Sequence, residues 1–336
     1  MKRNQLLYLV FLLGLLLEGG CSGSRGEYVQ ESGSVFHTLY RIKYRSSRPL
    51  TEKIDAELQT FNLSLNPFHP HSILSKVNRN EPVEVDAFFT DVFRKAQEIH
   101  SRSHGAFDPT VAPLINLWGF GFSSSDSVTP GVIDSLRSFV GYDKIHLEGK
   151  TVRKDDPRVI LNFSAIAKGY ACDVIARLLE REGVEDYMVE IGGEVHMRGL
   201  NPQGECWRIG IRKPSDDAEA SGPSLEDTLQ PCKPCGIATS GDYLNFYEKD
   251  GRKFAHTIDP ATGYPAGQDI LSATVVAADC MTADAYATAF MVLGIEKAVE
   301  TARSIPGIEY FFIYSDPYGN YLVSYSDAIL PYLSRR

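Results

Sequence analysis

Leu161-Asn-Phe-Ser-Ala165-Ile-Ala-Lys168-Gly-Tyr-Ala-Cys-Asp173 reads as a strand running directly into a helix. Ala167, Ala171, Ile175 and Leu178 recur at near-helical spacing and carry that helix from Ser164 to Glu182, where Gly183 supplies a C-terminal stop. Upstream, Ile54, Leu58 and Phe61 share one face of a helix predicted over 51–63, and further helices are predicted over 87–103 and 131–139. Strands are predicted over 36–44, 187–191, 207–211, 254–258, 272–277 and 310–315. The two element types mix without the regular βαβ alternation of a doubly wound sheet, which points to an α+β fold. The acidic, polar stretch 215–231 reads as a surface insertion, and neither a repeat nor a linker divides the chain.

The N-terminus has a different character. Lys2 and Arg3 precede the apolar run Leu6–Leu17, which is too short to span a bilayer as a mature helix. Gly19, Gly20 and Cys21 follow, and small residues before a cysteine resemble a bacterial lipoprotein signal in which Cys21 is acylated. Glu18 departs from that pattern, so an ordinary cleaved secretory signal stays open. The expected organisation is a signal segment over 1–21, a tether over 22–35 and one domain over 36–336. Either signal implies export from a bacterial cell; lipid on Cys21 adds membrane anchorage facing the periplasm or exterior. The formal net charge of −9, with scattered basic residues, argues against nucleic acid, which needs a concentrated basic face. Cys232-Lys-Pro-Cys235 lies in a polar loop, where a local disulfide and an incidental pair are both open.

Several stretches carry candidate chemistry, and each alone has a bland explanation. Asn66-Pro-Phe68-His-Pro-His71 is a turn-rich loop presenting a ring at Phe68; without nearby carboxylates, His69 and His71 read better as solvated than as metal ligands. Gly105-Ala-Phe-Asp108-Pro-Thr110 leads into Trp118-Gly119-Phe120-Gly121, aromatics and glycines that suit either a planar ligand or a core. At the 161–173 junction, free N–H groups, a positive dipole end and Lys168 offer a phosphate site, unless Lys168 is merely solvated. His256 ends a predicted strand before the turn Asp259-Pro-Ala-Thr262-Gly-Tyr-Pro265, and its ordinary pKa suits a general base. Asp284 and Thr288 are four apart and share a face if helical, forming hard oxygen ligands suited to Mg²⁺; the alternative is an acidic residue complementing a helix dipole.

Taken in order, S-I-L-S-K-V-N, G-A-F-D-P-T-V-A-P-L-I-N-L-W-G-F-G, A-I-A-K-G-Y-A-C-D, V-E-I-G-G-E-V, S-G-D-Y, H-T-I-D-P-A-T-G-Y-P and T-A-D-A-Y-A-T resemble the FAD:protein FMN transferase (ApbE) family. The resemblance implies a single α+β domain of mixed or antiparallel sheets flanked by helices, binding FAD with Mg²⁺ at its pyrophosphate. It places Asp284, Thr288 and the Ala165 carbonyl at the metal, and Phe68, Trp118, Gly119, Phe120, Asn162, Lys168 and Ile258 at the flavin nucleotide. His256 matches the histidine that activates the acceptor hydroxyl. Phe68 stands where many members carry Tyr, and Asn162 where Asp is usual. The implied reaction moves FMN from FAD to a Ser or Thr of an acceptor flavoprotein and releases AMP. The acceptor motif, Asp-x-[Ser/Thr]-Gly-Ala-[Ser/Thr], is not found in this chain, which implies a separate exported acceptor. An FAD pyrophosphatase and a non-enzymatic flavin-binding lipoprotein are the competing expectations.

Overall fold

The computed structural model describes residues 26–120, 128–214, 225–241, 246–249, 252–255, 257–266 and 269–334, with 246–249 and 252–255 described by backbone alone. Eight strands lie side by side in chain order: β1 (Glu27–Val35), β2 (Thr38–Ser46), β3 (Tyr187–Ile191), β4 (Glu194–Arg198), β5 (Cys235–Gly241), β6 (Ile270–Ala277), β7 (Glu309–Ser315) and β8 (Tyr321–Tyr325). Each pairs antiparallel with the next. Between β2 and β3 run α1 (Thr51–Leu65), α2 (Ile73–Asn78), α3 (Ala87–Arg102), α4 (Ala112–Leu117), α5 (Pro130–Arg137) and α6 (Ser164–Arg181). A seventh helix, α7 (Cys280–Ser304), connects β6 to β7. The α+β expectation is borne out.

Successive strand residues point to opposite sheet faces, and here each face has its own core. Ala238, Val275 and Phe312 pack into the large core under the helices, whereas their neighbours Ile237, Val276 and Phe311 join a smaller one on the other side. The smaller core is closed by Trp207, Ile211, Leu229 and Ile329. A third cluster, Leu114, Leu117, Ile133, Val140 and Ile258, holds α4 and α5 together as a separate wall.

The structure departs from the sequence reading in several places, and residues 161–163, expected as a strand ahead of α6, lie in none. Most of the expected tether is structured: Glu27–Val35 is the edge strand β1, paired along its length with β2. Its burial alternates only between exposed and intermediate, so it lacks the apolar face that marks a strand. Of the strand expected over 254–258, Phe254 and Ala255 lie in the strand Arg252–Ala255, residue 256 is outside the described residues, and Ile258 makes an isolated bridge to Pro265. Cys232 forms a disulfide with Cys206, while Cys235 is a buried thiol opening β5. Within the expected insertion, Leu225–Leu229 is a strand paired with Ile209–Arg212. No helix among the described residues is long and apolar enough to cross a membrane. His256 and Cys21 lie outside the described residues.

Candidate active site

α6 and α7 meet at their N-terminal ends, and the sequence makes that approach possible. A Cβ on Gly169 would overlap the Cys280 carbonyl and stand 2.8 Å from Asp284 Cβ, so only glycine lets the two backbones come together. Asp173, also on α6, accepts from the Cys280 and Met281 N–H groups at 2.8 Å each and caps the first turn of α7. His196 Nδ1 on β4 donates to the same carboxylate at 2.6 Å. Asp279 adds the conventional cap, accepting from Thr282 N at 2.8 Å.

In front of this junction lies a cleft of about 530 Å³. It brings together eight of the residues singled out from sequence: Phe68, Phe120, Asn162, Ala165, Lys168, Ile258, Asp284 and Thr288. Trp118 and Gly119 are not among its lining residues. Their part is to end α4: Gly119, at φ +82°, donates to Asn116 O at 3.0 Å, and Phe120 N donates to Ile115 O at 3.1 Å. This paired C-terminal turn releases the chain toward the cleft at Phe120. The Trp118 indole donates to Gly263 O at 2.8 Å, tying α4 to the turn after Ile258.

Asn162, also in the cleft lining, accepts through Oδ1 from Ser164 N at 2.9 Å and from Ser164 Oγ at 2.6 Å, so its side chain turns back over the start of α6. An aspartate there would accept the same two bonds while adding charge. Asp108, buried beside the cleft, accepts from Thr110 N, Thr110 Oγ1 and Tyr142 N and pins the loop that precedes α4. Burial pushes its carboxyl upward against the Thr110 hydrogen bonds. His69 and His71 stay in their exposed loop, where His71 N donates to His69 Nδ1 at 3.2 Å.

The electrostatics concentrate at the α6–α7 junction. Asp284 is 3% exposed, and its Oδ2 accepts from Gly169 N at 3.0 Å. That N–H is the regular helical partner of the Ala165 carbonyl, so carbonyl and carboxylate converge on one donor. Ser240 Oγ and Thr288 Oγ1 are 3.3 Å apart. Lys168 is bound to Glu194 Oε1, and Glu194 is itself 4% exposed. Burial raises the Asp284 carboxyl against the pull of Lys168, and it pushes Glu194 up to about 7 against the same cation. Burial works to lower the Lys168 ammonium, but Glu194 and Asp284 outweigh it and raise it. Two buried carboxylates thus share one cation, an excess of negative charge that invites a further one.

The donors facing that excess are a carboxylate, a hydroxyl and a carbonyl, an oxygen-only set suited to a hard divalent cation. No cluster of three or more His, Cys, Asp or Glu residues that could hold a metal occurs among the described residues. A cation on Asp284, Thr288 and Ala165 would therefore need further oxygens from water or a ligand. Glu194, Ser240 and Gly192 also line the cleft. All three lie inside the family-matching strings, but only the fold shows which residues of those strings face the cleft.

The ApbE family model matches residues 36–312. The FAD:protein FMN transferase of Vibrio cholerae is 40% identical over 312 residues, covering 89% of this chain and 92% of that protein. That of Haemophilus influenzae is 37% identical, covering 85% of this chain and 86% of its own. Among solved structures, the flavin transferase ApbE of Vibrio cholerae superposes with a TM-score of 0.81 at 36% identity, over 91% of this chain and 99% of that one. With a match spanning most of the sheet and every described cleft residue, this chain belongs to the ApbE family.

Proposed function

We propose that this protein is an FAD:protein FMN transferase that moves FMN from FAD to a Ser or Thr hydroxyl of an acceptor flavoprotein and releases AMP. The observation that carries the reading is the oxygen set of Asp284, Thr288 and Ala165 beside the Lys168 ammonium, at the N-terminal end of α6, in one cleft. A dinucleotide is anionic at its centre and aromatic at its ends. The junction offers cationic partners to the former, and Phe68, Phe120 and Ile258 offer apolar surface to the latter.

Asp284, Thr288 and the Ala165 carbonyl would hold Mg²⁺, and the donor chemistry and the excess buried charge fit it. When bound, Mg²⁺ polarises phosphoryl oxygens and stabilises a leaving phosphate. The Ser164, Ile166 and Ala167 N–H groups of the first turn already bond within the chain, so the protein orients the pyrophosphate chiefly with Lys168, and the acceptor oxygen approaches the FMN-side phosphorus in line. A new P–O bond forms to the acceptor, the P–O bond to AMP breaks, and AMP departs. His256 is proposed to take the acceptor hydroxyl proton, a role typically worth about 10²–10⁴-fold. Its support is chain position, since its neighbour Thr257 lines the cleft.

The protein is further proposed to be exported and held at a membrane by lipid on Cys21. The sequence of the first 21 residues supports this, and the Cys206–Cys232 disulfide suits an oxidising compartment. Such anchorage would keep the enzyme near membrane-bound acceptors. The test is mass spectrometry of an exported flavoprotein subunit carrying the acceptor motif after incubation with FAD, Mg²⁺ and this protein. The expected outcome is a mass increase of one FMN, abolished by EDTA. Rapid AMP release with the acceptor unmodified would replace the transferase with a pyrophosphatase.

A further inference from the structure

Glu194 opens β4 on the cleft and has one oxygen occupied by Lys168. The other, Oε2, is buried and has no hydrogen-bond partner. A buried carboxylate oxygen without a donor is destabilising, so its retention calls for a partner that arrives later. Gly192 lines the same cleft at φ +69°, and a Cβ there would stand 3.2 Å from Oε2 and 3.0 Å from Lys168 Cδ. A side chain at that position would crowd both groups.

The chemistry narrows the partner. A phosphate oxygen only accepts hydrogen bonds, so it supplies Oε2 with no donor. A second cation would meet the Lys168 ammonium on the sister oxygen. A neutral hydroxyl fits, provided it sits next to an anion that Lys168 can hold at the same time. In FAD such hydroxyls flank the pyrophosphate on both sides, on the ribityl chain and on the adenosine ribose.

Building on the transferase reading, we infer that Glu194 Oε2 accepts a hydrogen bond from a sugar hydroxyl beside the pyrophosphate. Glu194 thereby selects a hydroxyl-flanked diphosphate over a bare one.

The test measures binding of FAD to the full-length protein and its competition by FMN, AMP and inorganic pyrophosphate, in wild type and Glu194→Gln. The variant keeps the shape but replaces one acceptor with an NH₂ donor. FAD binding should weaken roughly tenfold or more, the scale of a hydrogen bond to a charged group. Either FMN or AMP should weaken with it, well beyond any loss for pyrophosphate, and the one affected identifies the sugar. Equal losses for all three competitors would show that Glu194 acts only by placing Lys168, and would overturn the inference; unchanged affinities would do the same. If the glutamine variant does not fold, Glu194→Asp takes its place, keeping the charge beside Lys168 while withdrawing Oε2 from the cleft, with the same outcomes expected. A wild type that binds none of the four ligands would instead sink the transferase reading itself.

Discussion

Along one side of the cleft, α6 and α7 lie so close that Gly169 has no room for a Cβ, and Asp284 is almost wholly buried. Another part of the lining presents Phe68 from a turn between α1 and α2, 51% exposed, with its ring against His37 at 4.7 Å. One wall is packed backbone on backbone; the other is hung from loops and a small satellite core. Packed helices hold ligand atoms to fractions of an ångström, which a metal and an in-line attack require. A loop-borne ring needs only to offer a surface. The difference predicts that substitutions at the junction abolish chemistry, whereas those at the loop wall grade affinity.

The sharpest way to break the comparison is Asp284→Ala. Turnover should fall about 10³-fold or more, the equivalent of about 4 kcal/mol, and the residual rate should lose its response to Mg²⁺. A steady-state assay that finds turnover intact would remove the junction from the reaction. Next in size is Gly169→Ala, whose added methyl meets the Cys280 carbonyl. Overpacking of this kind costs roughly 1–3 kcal/mol, read as a lower melting temperature, and metal affinity should fall in parallel. An unaltered Mg²⁺ titration would mean that the close approach serves packing alone. The smallest effect is expected at Phe68→Ala: a several-fold rise in KM for FAD, consistent with about 0.5–1.5 kcal/mol of ring contact, with kcat preserved. A kcat collapse there would erase the distinction between the walls.

How far the sequence discloses this arrangement depends on where each element lies. Helix α6 is legible because its alanines and Ile175 mark one face and Gly183 marks its end. Helix α7 gives no such stripe. It is buried on nearly every side, so apolar residues surround it, and Gly294 at φ 73° breaks its course. Ile295 N donates to Asp269 Oδ1 at 2.9 Å where the helix resumes, a contact no local pattern foretells. Strands β4 and β5 escape because β4 gives Val195 and Met197 to the smaller core and alternates them with the polar Glu194 and His196, while β5 divides Ile237 and Ala238 between two cores and opens on Cys235. At the site, Asp284 and Thr288 are readable from their spacing, but the pairing of Glu194 with Lys168 crosses 26 residues and three elements. Cys206 and Cys232 are likewise 26 apart, beyond any local motif.

Asp173 leaves neither of its oxygens idle: one meets Cys280 N and His196, the other Met281 N. An asparagine of the same shape would turn an NH₂ toward one of those backbone donors, setting hydrogen against hydrogen. The rotation and rise of the helix that carries Asp284 are therefore governed by a side chain outside the cleft lining, and shape alone cannot replace it.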